Sequence, residues 1–110
     1  MHRAPSALTL TARLPQGGLL VNVAGDLDLN TSQQLVLFTT NQIRPGTTVV
    51  TLDLAHLGSC DQEGASALVQ ILGVCERDGR QLRLVRLQPQ VREVLERTGI
   101  SGHLYVEQSQ

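Results

Sequence analysis

Ser59-Cys60-Asp61-Gln62-Glu63-Gly64 lies between two stretches of opposite character. Before it runs Val49-Val50-Thr51-Leu52-Asp53-Leu54, nearly all apolar and β-branched, as a central strand covered on at least one face requires. After it, Ala65, Leu68, Val69, Leu72 and Cys75 recur at three- and four-residue steps, while Ser66, Gln70, Gly73 and Arg77 share the other side. The stretch therefore reads as a loop feeding the N-terminus of a helix that ends at Asp78-Gly79. Unpaired backbone N–H groups and the positive end of the helix dipole gather at such a point, which favours a carboxylate, a phosphate or an acidic partner.

Working toward the N-terminus, Pro45-Gly46 closes an earlier helix expected from about Ser32 to Ile43. That helix would bury Leu35, Phe38 and Ile43, with Gln34, Thr40 and Gln42 more exposed. Thr31, three residues before Gln34, has the spacing of a capping box. Ala24-Gly25-Asp26-Leu27-Asp28-Leu29-Asn30 is expected to interrupt a strand and form a polar loop. Ahead of it, Leu8 to Leu14 alternates, Pro15-Gln16-Gly17-Gly18 turns, and Leu19 to Val23 returns, which predicts a hairpin.

Toward the C-terminus, Gln81 to Leu87 reads as another strand. Pro89 then opens a third helix with Val91, Val94 and Leu95 as its apolar stripe. Arg92 with Glu96 and Glu93 with Arg97 are four-residue pairs worth about 0.2 to 0.5 kcal/mol each. Thr98-Gly99 stops that helix, and Leu104-Tyr105-Val106 is a short last strand. The alternation of strands and helices predicts an α/β domain, with a single small mixed sheet of an N-terminal hairpin plus parallel strands. Right-handed crossovers place the helices on one face.

With 110 residues and 41% apolar content, the chain is expected to form one domain, 1–110, with its own core. No apolar run reaches a membrane span, and Met1-His2-Arg3-Ala4-Pro5 lacks the apolar core of a signal peptide, so a cytoplasmic location is expected. Nine Arg, no Lys and ten acids give a net charge of -1, with no pull toward nucleic acid or an anionic membrane. Cys60 and Cys75 would lie roughly 20 Å apart at 1.5 Å per residue, too far for a disulfide, and are expected to be buried. The histidines His2, His56 and His103 form no ligand motif.

Asp26, Asp28, Asp53 and Asp61 fall near strand ends, as a metal or acid–base cluster would. Asp53 has a place within a strand and Asp61 a place as a helix cap, so no metal or other cofactor is expected. Ser59 or Ser66 with His56 and Cys60 could supply a nucleophile and base, but no oxyanion motif such as Gly-x-Ser-x-Gly accompanies them, and the chain is expected not to be an enzyme. Arg80, Arg83 and Arg86 read as a basic strip blunting a sheet edge.

The landmarks together resemble a STAS domain of the anti-sigma-factor antagonist family. They are Gly25-Asp26-Leu27-Asp28 before Thr31, Leu52-Asp53-Leu54 ahead of Asp61-Gln62-Glu63-Gly64, Gly79 before a strand, and Pro89, Val91, Leu95, Thr98 and Gly99 in the third helix. The resemblance implies a non-catalytic regulator that binds an anti-sigma factor or serine-kinase-like protein. It also implies a serine after the Asp at the helix start, phosphorylated by that partner. Gln62 stands after Asp61 here, and Glu63 follows, so the usual acceptor is missing. Ser59 and Ser66 remain as displaced acceptors. The residues expected to meet the partner are Asp26, Asp61, Gln62, Glu63, Ser66 and Gln70. An alternative is a STAS subunit that regulates assembly of an ATP-driven lipid transporter, and a homodimer is compatible with either reading. The additional C-terminal helix common in the family is expected to be truncated or absent after Glu107.

Overall fold

The computed structural model describes residues 7–99 and the backbone of a strand at 105–106; the expectations for the first six residues, for Leu104 and for the chain end lie outside the described residues. The elements run β1 (Leu8–Arg13), β2 (Gly18–Leu27), α1 (Ser32–Gln42), β3 (Val49–Cys60), α2 (Gln62–Arg77), β4 (Gln81–Val85), α3 (Pro89–Thr98) and β5 (Tyr105–Val106). They build one five-stranded sheet in the order β1-β2-β3-β4-β5. The β1–β2 hairpin is antiparallel and every later pairing is parallel. The expected mixed sheet is present.

Alternation along each strand separates the two faces. Leu19, Val21 and Val23 of β2, Val50, Leu52 and Leu54 of β3, and Leu82 and Leu84 of β4 are buried under the helices. From α2, Ala65, Ala67, Leu68, Ile71, Leu72 and Cys75 close on them, as do Leu35 from α1 and Val91 and Leu95 from α3. Burying a Leu or Ile at this level stabilises the fold by about 1.5 to 3 kcal/mol per side chain. Both cysteines are buried and free. Val69, expected on this buried side, is 47% exposed, because Gly64, Ala67 and Ile71 complete the sheet-facing arc of α2 and leave it just beyond the edge.

Strand ends depart most from the pattern. Gly25-Asp26, expected to break into a loop, instead continues β2 to Leu27, since β3 runs alongside as far as Cys60. Register shifts between Asn22 and Ala24 and between Gly25 and Asp26 each place an extra residue in β3. Burial along β3 accordingly changes from every second residue to Leu54, Leu57 and Cys60. Gly25 has φ +115, and a Cβ there would lie 2.2 Å from the Ala7 carbonyl oxygen, so only glycine fits the bulge.

The capping box is not formed. Thr31 Oγ1 donates to the Asp26 carbonyl at 2.7 Å and accepts from the Asp28 N–H, while the Gln34 amide donates to the carbonyl of Leu8. Thr31 is thereby committed to the β2–α1 turn and not to the helix. Beneath α1, Thr39 is fully buried, and its hydroxyl finds no partner among the described residues. Phe38 and Ile43 are only partly buried against the core.

The expected basic strip is also absent. Arg80 pairs with Asp78 at 2.9 Å and donates to the carbonyls of Thr47 and Arg44. Arg86, in a left-handed conformation at φ 57, folds its guanidinium over the buried Asp53 carboxylate in a two-pronged ion pair. β4, which carries Arg83, is not an edge, because β5 flanks it.

Candidate functional site

The stretch at 59–64 contains no loop. β3 continues through Cys60, Asp61 is the N-cap, and α2 begins at Gln62, because the elongated β2 supports β3 to its last residue. The Asp61 side chain accepts from the Gly64 N–H at 2.7 Å, the capping role its position predicts. Gly64 is needed for a second reason. A Cβ on it would lie 2.0 Å from the carbonyl oxygen of Leu27, so the first turn of α2 rests directly on the end of β2.

That close approach fixes what surrounds the helix start. Asp26, opposite Ser59 in the β2–β3 register, accepts a 2.7 Å hydrogen bond from the Ser59 hydroxyl. Gln62 and Glu63 are exposed in the first turn, where Glu63 faces the positive end of the helix dipole. Ser66 and Gln70 follow at four-residue steps from Gln62 and are exposed on the same side. Ser66 donates its hydroxyl to the Glu63 carbonyl at 2.6 Å, and Gln70 accepts from the Gln33 amide of α1 at 3.4 Å.

The six residues singled out from sequence therefore lie along one route, from the ends of β2 and β3 down the outer side of α2. Exposed Leu29, Gln33 and Leu37 on the α1 side, and the exposure of Val69, are not among the residues expected from the sequence. The absence of any charge from Leu29 to Ile43 was the signal available for them.

Chemically, this is a surface of amides, hydroxyls and carboxylates. Ser59 gives its proton to Asp26 and not to His56, and Gln62 has no nucleophilic atom. Burial, and to a lesser extent the Asp61 charge, pushes the Cys60 thiol up to about 11, and burial does the same to Cys75, so both are neutral thiols at pH 7. Among the described residues, no three His, Cys, Asp or Glu side chains are placed to hold a metal ion. A groove of about 720 Å³ between the end of β3 and α3 is lined by Ala55, Arg86, Gln88, Arg92 and Glu96 among others, none from the route just described. No helix among the described residues is long and apolar enough to cross a membrane.

Asp53 lies behind the site, on the sheet face away from the helices. Burial opposes its ionisation, but hydrogen bonds from Arg86 and the Ala55 amide, with the nearby charges of Arg86 and His56, outweigh that and hold its carboxyl below the usual value. The clamp ties the β4–α3 turn to β3. Gln88 and Gln90 add to it by donating to the carbonyls of Ala55 and Gly58.

The STAS domain family model matches residues 9–109. Comparison with curated proteins returns no match. Among solved structures, an anti-sigma factor antagonist from Mycobacterium paratuberculosis superposes with a TM-score of 0.83 at 18% identity, covering 96% of this chain and 90% of that one. The Bacillus cell fate determinant SpoIIAA in its phosphorylated form gives 0.67 at 17% identity, over 94% and 93% of the two chains. A sulfate transporter family protein from Wolinella succinogenes gives 0.70 at 20% identity, over 84% and 80%. With the family model spanning nearly the whole sequence, and with this strand order, bulged β2–β3 pair and capped α2, the chain belongs to the STAS domain family.

Proposed function

We propose that this STAS domain is a non-catalytic cytoplasmic regulator, acting as one unit over residues 1–110. It captures an anti-sigma factor or serine-kinase-like protein on the surface formed by Asp26, Asp61, Gln62, Glu63, Ser66 and Gln70. The observation that carries the reading is the first turn of α2. Gln62 stands exposed where the family resemblance calls for a phosphoacceptor, and Glu63 beside it supplies one permanent negative charge. Phosphorylation would add close to two negative charges, switchable by a kinase and phosphatase. A fixed glutamate offers a constant charge, so capture in this protein does not depend on a phosphate at Gln62.

The test is affinity capture from a lysate of the source organism, comparing the tagged wild-type chain with Glu63→Arg. Glu63 is exposed, so reversing it replaces a favourable dipole interaction of about 0.3 to 1 kcal/mol with an unfavourable one of similar size and leaves the core untouched. Reversal of a charge at the rim of an interface acts mainly on association. The variant is expected to lose the partner while staying folded, and capture of the same partner set by Glu63→Arg contradicts the reading. Recovery of a transporter ATPase subunit in place of an anti-sigma factor would select the transporter alternative.

A further inference from the structure

The outer surface of α1 and α2 is unusual in its charge. Although 17% of the chain is charged, neither Leu29 to Ile43 nor Gly64 to Cys75 contains a single Asp, Glu, Lys or Arg. Exposed helix faces ordinarily carry charges, and their loss marks the core of an interface. Within this face Leu29 is 70% exposed, Leu37 58% and Val69 47%. The two helices pack side by side, and the Gln33–Gln70 hydrogen bond joins their outer sides, so these apolar groups and amides belong to one surface.

The charges that border the face are arranged by end. Both helices follow parallel strands and run in the same direction, with Asp61 and Glu63 at their N-terminal end. At the C-terminal end stand Arg44 and Arg77 with exposed Glu76, while Asp78 is neutralised by Arg80; the Arg80 guanidinium also reaches the Arg44 carbonyl, which fixes Arg44 at that end. The face is thus acidic at one end, basic at the other and uncharged between. A surface of that pattern is complementary to itself across a two-fold axis, since antiparallel packing sets Glu63 of one copy against Arg77 of the other and opposes the two helix dipoles.

We propose that the α1–α2 face is a self-association surface occupied by a second copy of this chain in an antiparallel, two-fold arrangement. The face is about 20 Å wide and about 24 Å long from helix dimensions, or about 1,000 Å² over both copies, which is the size of a weak interface. Self-association over so small an area is expected to be weak and concentration-dependent. It goes beyond the proposed partner capture. If that reading also holds, the dimer covers Gln62, Ser66 and Gln70 and competes with the partner.

Sedimentation velocity on the full chain at about 1 to 500 µM tests it without any partner present. The wild-type sedimentation coefficient is expected to rise with concentration. Leu37→Glu and Val69→Glu, both at exposed positions, are expected to weaken association at least tenfold with unchanged circular dichroism. Glu63→Arg and Arg77→Glu singly should weaken it, and the double variant should restore it. A wild-type chain that stays monomeric throughout overturns the proposal. So does association that survives both apolar substitutions, or a double variant no better than the singles.

Discussion

Replacing Gly64 with Ala tests the contact on which the geometry of the site depends. The new Cβ would meet the Leu27 carbonyl oxygen at 2.0 Å, its carbon at 2.5 Å and the Asp28 nitrogen at 3.0 Å. Non-bonded contacts of this kind settle near 3.5 Å, so the first turn of α2 must retreat by more than about 1 Å. Overpacking of that size costs about 1 to 3 kcal/mol. The same retreat stretches the 2.7 Å Asp61–Gly64 cap, an interaction worth about 1 kcal/mol. Higher helix propensity of Ala offsets about 0.8 to 1 kcal/mol. A net loss of about 1 to 3 kcal/mol is expected in urea unfolding, or roughly 4 °C of Tm for each kcal/mol in a chain of this size. Gly73 is the internal control. It lies on the exposed side of the same helix with nothing within 4 Å of its Cβ position, so Gly73→Ala should stabilise by about 0.5 to 1 kcal/mol. If Gly64→Ala is as stable as the wild type, the reasoning about the α2–β2 contact is wrong.

Two further perturbations address the framework. Thr39→Val removes a buried hydroxyl without a partner at nearly constant shape. It should raise stability by about 1 kcal/mol in the same assay, and a loss would mean the hydroxyl is satisfied. Asp53 has a folded-state value held below its ordinary one. Its contribution is complete above the unfolded value of about 3.9 and is lost as pH falls through the lowered folded value. Melting temperatures between about pH 2 and 7 should fall on the acid side, less steeply in Asp53→Asn; an unchanged acid limb in that variant removes Asp53 as the cause.

Element order was legible because each element buries one face against a common core, so period two and period 3.6 report it directly. The Asp61 cap and the apolar stripe of α3 follow from such local rules. What escaped depends on distant chain. β2 persists through Gly25-Asp26 because Ala7 on one side and the bulged β3 on the other accept it. Thr31 abandons its cap because the Asp26 carbonyl lies within reach. The requirement for Gly64 comes from Leu27, thirty-seven residues away in sequence, and no local pattern reports it. At the site, the cluster around Asp61 was readable from spacing, whereas the Asp26–Ser59 bond needs the β2–β3 register, and the exposed face beside α1 needs the packing of two helices.

The proposed place of partner capture is the outer surface of α2. Hydrogen–deuterium exchange on the captured complex measures that directly. The amides of residues 61–64, which start the helix without intrahelical acceptors, and the α2 segment through Gln70 should be protected relative to the free chain, in wild-type protein carrying no phosphate. A footprint on α3 and the groove beside Ala55, with 61–70 unchanged, would contradict capture on α2.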